Sequence, residues 1–543
     1  MPKNTAVTDD VRKEIRLHGR VLFTVCVALF ALMSYGGIRS SDSEVVFRMG
    51  ESIATRGSLA LEHDLEEWHA FGVAFGRNHA LYSIFGPLES IVIAPIIKVA
   101  DWINETGWYV PLTPMLTLSH FTEGGFYNYV QGVSTKVPRP HALRMLSAIY
   151  NVLVSAFGVF VFWKILLILT KSIPSSFLVS VIYAFATHVW PYSGTFFSEP
   201  LATLMVLFSF LYLLKSDDVS VETEGLRGYT PVFWSGIWMG LAITAHITAV
   251  LYAPFFAFYF FWKSESHRSG FWQRVERAAV YSFGVFILVF ILGWFNFYRF
   301  GSFFETGRTI SAISGEIFGY GVTVFPLQGL FGLLFGAGKG IVFFMPVLVL
   351  SSFLWRSFFK EDQKLFWIVF AAVAFRVLFI ASRSDWHAGF CIGARYLVMV
   401  IPFFLIPLAF WLKNHEATKF NRAFGLISAA GFLFAVEQFY FCLAEVFTFL
   451  QILKFRERYF GIDVFNNDLL YLNWKYSPLT NYDQMRISPF FLRYSGLSFG
   501  KLMLVGTILI AVLFAIFFVM VRMMPRSLGN TPRQAEEPSS HPR

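Results

Sequence analysis

Long apolar runs, each closed by a short basic or polar segment, dominate this chain. They fall at 21–35, 143–169, 174–190, 200–214, 234–261, 280–298, 341–354, 366–381, 397–412, 424–449 and 502–521. About 20 helical residues cross a bilayer core, so most of these runs are long enough to span it. The run at 234–261 exceeds one span and predicts two short helices broken near Thr244, Ala245 and His246. The pattern therefore predicts an all-α polytopic membrane protein of about 12 transmembrane helices. Between the first two runs, an amphipathic stretch keeps Val45, Met49 and Ile53 on one side and ends near Gly57, which predicts a helix lying along the interface. A second apolar stretch, 88–100, is too short to span and predicts an interfacial or re-entrant helix.

Basic residues orient the chain, because Lys and Arg accumulate on the cytoplasmic side. The tail before the first run carries Lys3, Arg12, Lys13, Arg16 and Arg20, which places the N-terminus inside. Followed from there, Lys164, Lys215, Lys263, Arg356, Lys413 and Arg522 all land at inward ends of spans, and both termini are cytoplasmic. The tail is long and polar and lacks a small-residue cleavage site, so the first span reads as a retained anchor. Four long segments then share the outer face: 40–140, 299–339, 382–396 and 451–500. The organisation expected is a cytoplasmic tail 1–20, a transmembrane catalytic module 21–415 carrying the first three loops, C-terminal spans 416–521 with the fourth, and a disordered cytoplasmic tail 522–543.

Composition agrees with this class: 56% of residues are hydrophobic and only 15% charged, far from a soluble domain of 543 residues. The net charge of +9 sits in the connectors, where it serves topology, so nucleic acid is not an expected partner. Cys26, Cys391 and Cys442 are scattered with no ligand-like spacing. The glycine-rich 336–340 stretch ending at Lys339 and Gly340 lacks the spacing and preceding strand of a nucleotide loop.

Chemistry concentrates at the outer mouth of the first span, where Asp42 and Glu44 follow Ser41. Glu44 has ordinary explanations: a capping box with Ser41 and an i,i+4 pair with Arg48. Asp42 gains only about 0.3–1 kcal/mol from a helix start, which leaves a functional role the better account. Glu199, Arg376, Glu437 and Glu445 lie within or at the ends of apolar runs, where ionisable groups face a cavity or a partner; Arg376 is expected to pair with one of those carboxylates.

Several motifs stand on the predicted outer side. They are Asp42-x-Glu44, the stretch Tyr82-x-x-Phe85-Gly86-Pro87 after His79, the short loop 192–200 ending in Glu199 and Pro200, the segments 297–307 and 330–340, and the stretch 385–397 with His387 and Arg395. Together, from about residue 40 to residue 400, they resemble the GT-C superfamily of membrane glycosyltransferases, in particular the protein mannosyltransferase and aminoarabinose transferase group (family 39-like).

The resemblance implies a GT-C-like fold and a hexosyl- or pentosyltransferase in the plasma membrane of a bacterium or archaeon. Such an enzyme moves a sugar from a polyprenyl-phosphate donor to a lipid, glycan or protein acceptor on the periplasmic or exterior face. It needs a base for the acceptor hydroxyl and cations for the departing phosphate. By motif position Asp42 is the candidate base, with Glu44 assisting or binding acceptor. Arg395, Lys339 and Arg308 are the candidates for the donor phosphate, and His387, Glu199, Tyr82 and His79 for substrate binding. These residues point to no particular cofactor, and Asp42-x-Glu44 would suit a divalent cation, so metal dependence stays open. The competing readings are a transporter or flippase of lipid-linked glycans, and a polymerase or ligase using diphosphate-linked donors. Long loops on one side disfavour the first, and carboxylates early in the chain disfavour the second.

Overall fold

The computed structural model describes residues 9–38, 40–61, 72–106, 141–217, 225–262, 270–310, 325–416, 420–465 and 467–525. Helices dominate, and seven are long and apolar enough to cross a membrane: Asp9–Leu32, Ile149–Thr170, Phe271–Phe300, Gln363–Ala381, Arg395–His415, Phe420–Leu443 and Phe499–Met523. Shorter apolar helices, among them Ile173–Phe185, Glu199–Lys215 and Thr230–Ala245, pack between them. Among the described residues, seven helices thus meet the length and composition needed to span, and the shorter helices make up the rest of the bundle.

The first helix, α1 (Asp9–Leu32), buries Leu22, Cys26 and Phe30, a stripe four residues apart that faces the bundle. It packs on the helix His141–Thr170 so closely that a Cβ on Gly19 would lie 2.3 Å from the Trp163 ring. The helix after it, α2 (Ser41–Arg56), is capped by Ser40, whose Oγ accepts the Ser43 N–H at 3.1 Å. The cap thus falls one residue earlier than the expected Ser41, while Glu44 makes the expected i,i+4 pair with Arg48 at 2.9 Å. Gly57, at φ 62°, ends the helix with its N–H on the Ile53 carbonyl. Helix α2 buries Val45, Val46, Phe47 and Met49 against its surroundings.

Two short antiparallel strands follow, β1 (Val73–Phe75) and β2 (Leu81–Ser83). Their turn places Asn78 and His79 at φ 58° and 55°. Helix α3 (Leu88–Thr106) then packs along α2, where Ser90 Oγ donates to the Val46 carbonyl at 2.7 Å and Gly50 accommodates Ile93.

The break expected near residue 245 is present. Thr230–Ala245 stops at His246, whose extended backbone (φ −148°, ψ 112°) leads into the 3-10 turn Ile247–Tyr252 and the helix Ala253–Trp262. Two other runs differ from their expected single helices. The 341–354 run divides into Ile341–Phe344 and Pro346–Ser352, because Pro346 cannot continue the preceding turn. The 424–449 run ends at Leu443; Ala444 bridges to Ile487, and a new helix, Val446–Tyr459, begins with Glu445 as its cap. Glu445 therefore serves a helix start and accepts from Ser488 rather than standing inside a span.

Candidate active site

One cavity, with roughly 900 Å³ of empty space counted to its open mouth, lies where α2, α3 and the breaks in the bundle meet. The first turn of α2 contributes Asp42, and the first turn of α3 contributes Glu89. Glu199 comes from the start of its helix, His246 from the break, Arg299 from the C-terminal end of Phe271–Phe300, and Arg395 from the start of the 3-10 turn Arg395–Val400. A Cβ on Gly86 would sit 2.2 Å from the Thr244 carbonyl, so glycine there lets the loop before α3 close against the break. Phe85, Phe196, Phe197 and Tyr396 supply apolar faces.

Arg395 joins the two halves of the site. Its Nη2 lies 3.2 Å from Asp42 Oδ2 and its Nε 3.2 Å from Glu199 Oε1, while its guanidinium stacks 4.3 Å from the Phe197 ring. His246 Nε2 is 3.9 Å from the same Glu199 oxygen. Two carboxylates 157 residues apart in sequence therefore share one cation. Glu199 is 2% exposed, so the pairing is nearly dry on that side; Asp42 keeps 25% of its side-chain surface accessible.

The cavity holds further positive charge. Arg299, 1% exposed, donates to the Ser83 carbonyl and, at 2.8 Å, to Asn296 Oδ1, and is sandwiched near Phe295 and Phe300. Its Nε has no hydrogen-bond partner, and no carboxylate lies within ion-pair distance of it among the described residues. Arg308 lines the same space. A buried guanidinium without a counter-charge is costly, and an anionic ligand would offset that cost.

Of the residues singled out in the sequence, Asp42, Glu199, Arg395 and Arg308 converge on this cavity. Glu44 is not among its lining and is engaged by Arg48. Tyr82 stands in β2 with its ring edge-on to Phe300, and His79 lies in the hairpin turn. Lys339 lies outside the cavity. Its ammonium donates to the Gly389 and Cys391 carbonyls and to Cys391 Sγ, each at 2.9 Å, and burial lowers its pKa. It thus holds the loop that leads to Arg395.

His387 stacks on Tyr471 at 4.1 Å and approaches Asp468 at 3.7 Å; burial, with the Lys339 charge, pushes its pKa down to about 3. Arg376 does not take the expected carboxylate. It donates to the Thr248 and Tyr396 carbonyls, which fix the break and the start of the Arg395 segment.

Sequence reasoning missed Arg299 and gave Glu89 no role. Both were detectable as ionisable residues at the edge of an apolar run. For a divalent cation the arrangement is a poor fit: Arg395 already occupies the space between the two carboxylates, and no group of three His, Cys, Asp or Glu side chains comes together among the described residues.

No protein-family model matches this chain, and no curated protein matches it. Solved structures similar to it include ArnT from Cupriavidus metallidurans bound to undecaprenyl phosphate, at 12% identity and a TM-score of 0.46 over 78% of this chain and 68% of that one. The archaeal oligosaccharyltransferase AglB from Archaeoglobus fulgidus, in complex with an inhibitory peptide and a dolichol-phosphate, is similar at 10% identity and a TM-score of 0.44. The match covers 78% of this chain and 55% of that one.

Proposed function

We propose that the cavity transfers a sugar from a polyprenyl-phosphate donor to a hydroxyl of a lipid, glycan or protein acceptor, on the outer face of the membrane. The observation that carries this reading is the convergence of Asp42 and Glu199 with three arginines, Arg299, Arg308 and Arg395, on one apolar-walled space. The bond from the sugar's anomeric carbon to the phosphate oxygen breaks, and its electron pair leaves with the phosphate. The new bond forms to the acceptor oxygen, whose proton goes to Asp42.

Arg299 and Arg308 suit the departing phosphate, since guanidinium groups make paired, charge-assisted contacts with phosphate oxygens. Arg395 divides its charge between Asp42 and Glu199 and so fixes the base in place without fully quenching it. Phe85, Phe196 and Phe197 give the site a low dielectric in which these charges act strongly.

Proteoliposomes carrying the purified protein and labelled polyprenyl-phosphate hexoses and pentoses test the reading. Transfer to endogenous lipid or added acceptor is expected with a monophosphate donor. Movement of the glycolipid between leaflets without transfer would favour a transporter, and transfer only from diphosphate-linked donors would favour a polymerase or ligase.

A further inference from the structure

The mechanism leaves one acid of the cavity unused. Glu89, in the first turn of α3, lines the same cavity and is 1% exposed. Its Oε1 accepts a hydrogen bond from the Tyr150 hydroxyl, the only hydrogen-bond partner it has among the described residues. Tyr150 is itself buried, with its ring edge-on to Phe196 at 5.4 Å, so the phenol is fixed and the carboxyl with it.

A carboxylate so deeply buried needs a cation or several N–H donors to stay ionised. Glu89 has neither. The titratable and charged groups on the elements around it are Asp42, Glu44, Arg48, Glu51 and Arg56 on α2, Lys98, Asp101 and Glu105 further along α3, Tyr150 and Lys164 on the described part of His141–Thr170, and Glu199, His246, Arg299, Arg308 and Arg395 around the cavity. Arg48 is engaged by Glu44 and Arg395 by Asp42 and Glu199, and the nearby Glu199 charge further disfavours ionising Glu89. The helix start of α3 favours negative charge by much less than full burial opposes it. Burial pushes the Glu89 pKa up to about 8, with Tyr150 pulling it back and Glu199 adding to the rise.

We infer that Glu89, held by Tyr150, presents an uncharged carboxyl to the cavity and donates a hydrogen bond to a hydroxyl of the transferred sugar. The inference rests on the transfer reading above. The geometry suits a neutral acid: Tyr150 occupies one carboxyl oxygen as donor, so the proton resides on the other, and a proton there is a donor that no carboxylate could supply. Aromatic faces with one well-placed polar group are what a sugar ring requires. Glu89 is then a specificity residue, and Tyr150 a positioning residue that acts through it.

Two readouts test this, one of them independent of turnover. Infrared spectra of the purified wild type at pH 7 should contain a protonated-carboxyl carbonyl stretch. A component of that band should be missing from Glu89→Gln, and in the difference between the two proteins it should fade as the pH passes about 8 and shift when polyprenyl-phosphate hexoses or pentoses are added. In transfer assays Glu89→Gln, which keeps a donor, should hold KM within about threefold. Glu89→Ala should raise KM about tenfold, with kcat changed much less. Tyr150→Phe removes the hydrogen bond that favours the charged form, so the alkaline loss of binding should move to higher pH.

No such component at pH 7, an Ala variant with wild-type KM, or a Gln variant losing about a hundredfold in kcat would each overturn the proposal; the last would make Glu89 a base. A wild type that transfers no sugar defeats the transfer reading instead, and the carboxyl band still reports on Glu89.

Discussion

Removing Arg395 should unbalance the site more than any other single change. Arg395→Met keeps much of the stem that packs on Phe197 but leaves Asp42 and Glu199 without their shared cation. At 3.2 Å each contact is worth about 5 kcal/mol of Coulomb energy if the effective dielectric is about 20, before desolvation is subtracted. Measured losses on breaking a buried pair from one side run to about 3–5 kcal/mol. Glu199 is nearly inaccessible whereas Asp42 is partly open, so most of that loss belongs to the Glu199 side.

The assay is a double-mutant cycle on detergent-solubilised protein, comparing apparent Tm for wild type, Arg395→Met, Glu199→Gln and the double variant. The single arginine variant should be the least stable. Adding Glu199→Gln should restore much of the loss, because an amide needs no counter-charge. Transfer should stay at least about a hundredfold down in both variants lacking the arginine. Additive Tm changes, with no rescue, would refute the argument that the pair is electrostatically coupled.

Three further outcomes follow from the same structure. Arg299→Met should raise KM for a polyprenyl-phosphate donor by about tenfold or more while leaving the fold intact, as judged by elution and Tm, since its described partners are neutral groups. The 382–396 loop should lose stability in acid: burial raises the Asp385 pKa, but Arg383, bonded to it at 2.7 and 2.8 Å, more than offsets this and leaves it below the ordinary value. A lowered carboxylate pKa contributes stability that is present above about pH 4 and is lost as pH falls through the folded value. Apparent Tm should therefore hold from pH 7 to 5 and fall below about 4, and Arg383→Gln should lower it at pH 7 and flatten the acid decline.

Orientation is tested by cysteine labelling in intact cells, where the native Cys26, Cys391 and Cys442 are all buried and silent. Tyr459→Cys, at a residue 86% exposed, should react with an impermeant reagent from outside, and Lys13→Cys only after lysis.

Much of the scaffold was legible because span length and basic ends are local properties. The break at His246 could be read since the run was too long for one helix and too short for two full spans. The interruption at Leu443 could not, because it depends on Ala444 pairing with Ile487, more than 40 residues away. The site divides in the same manner. Asp42, Glu199 and Arg395 announced themselves as ionisable residues at span mouths, but their meeting is a tertiary fact.

Lys339 stood behind Arg395 as a phosphate candidate, and the fold instead wraps the 389–391 carbonyls around it. Arg299 lies at the end of an apolar run with nothing local to mark it, and only its burial against Ser83 and Asn296 sets it apart. Local sequence records which residues are costly to bury. It does not record which of them find a partner.

The most direct test of the account is sugar transfer by Asp42→Asn in proteoliposomes, measured beside wild type with the same labelled polyprenyl-phosphate donor. Asparagine preserves shape and hydrogen-bonding capacity next to Arg395 but cannot take the acceptor proton. The account predicts a fall in kcat of about a hundredfold or more with donor KM little changed. Transfer at the wild-type rate would remove Asp42 from the role of base and contradict the central claim.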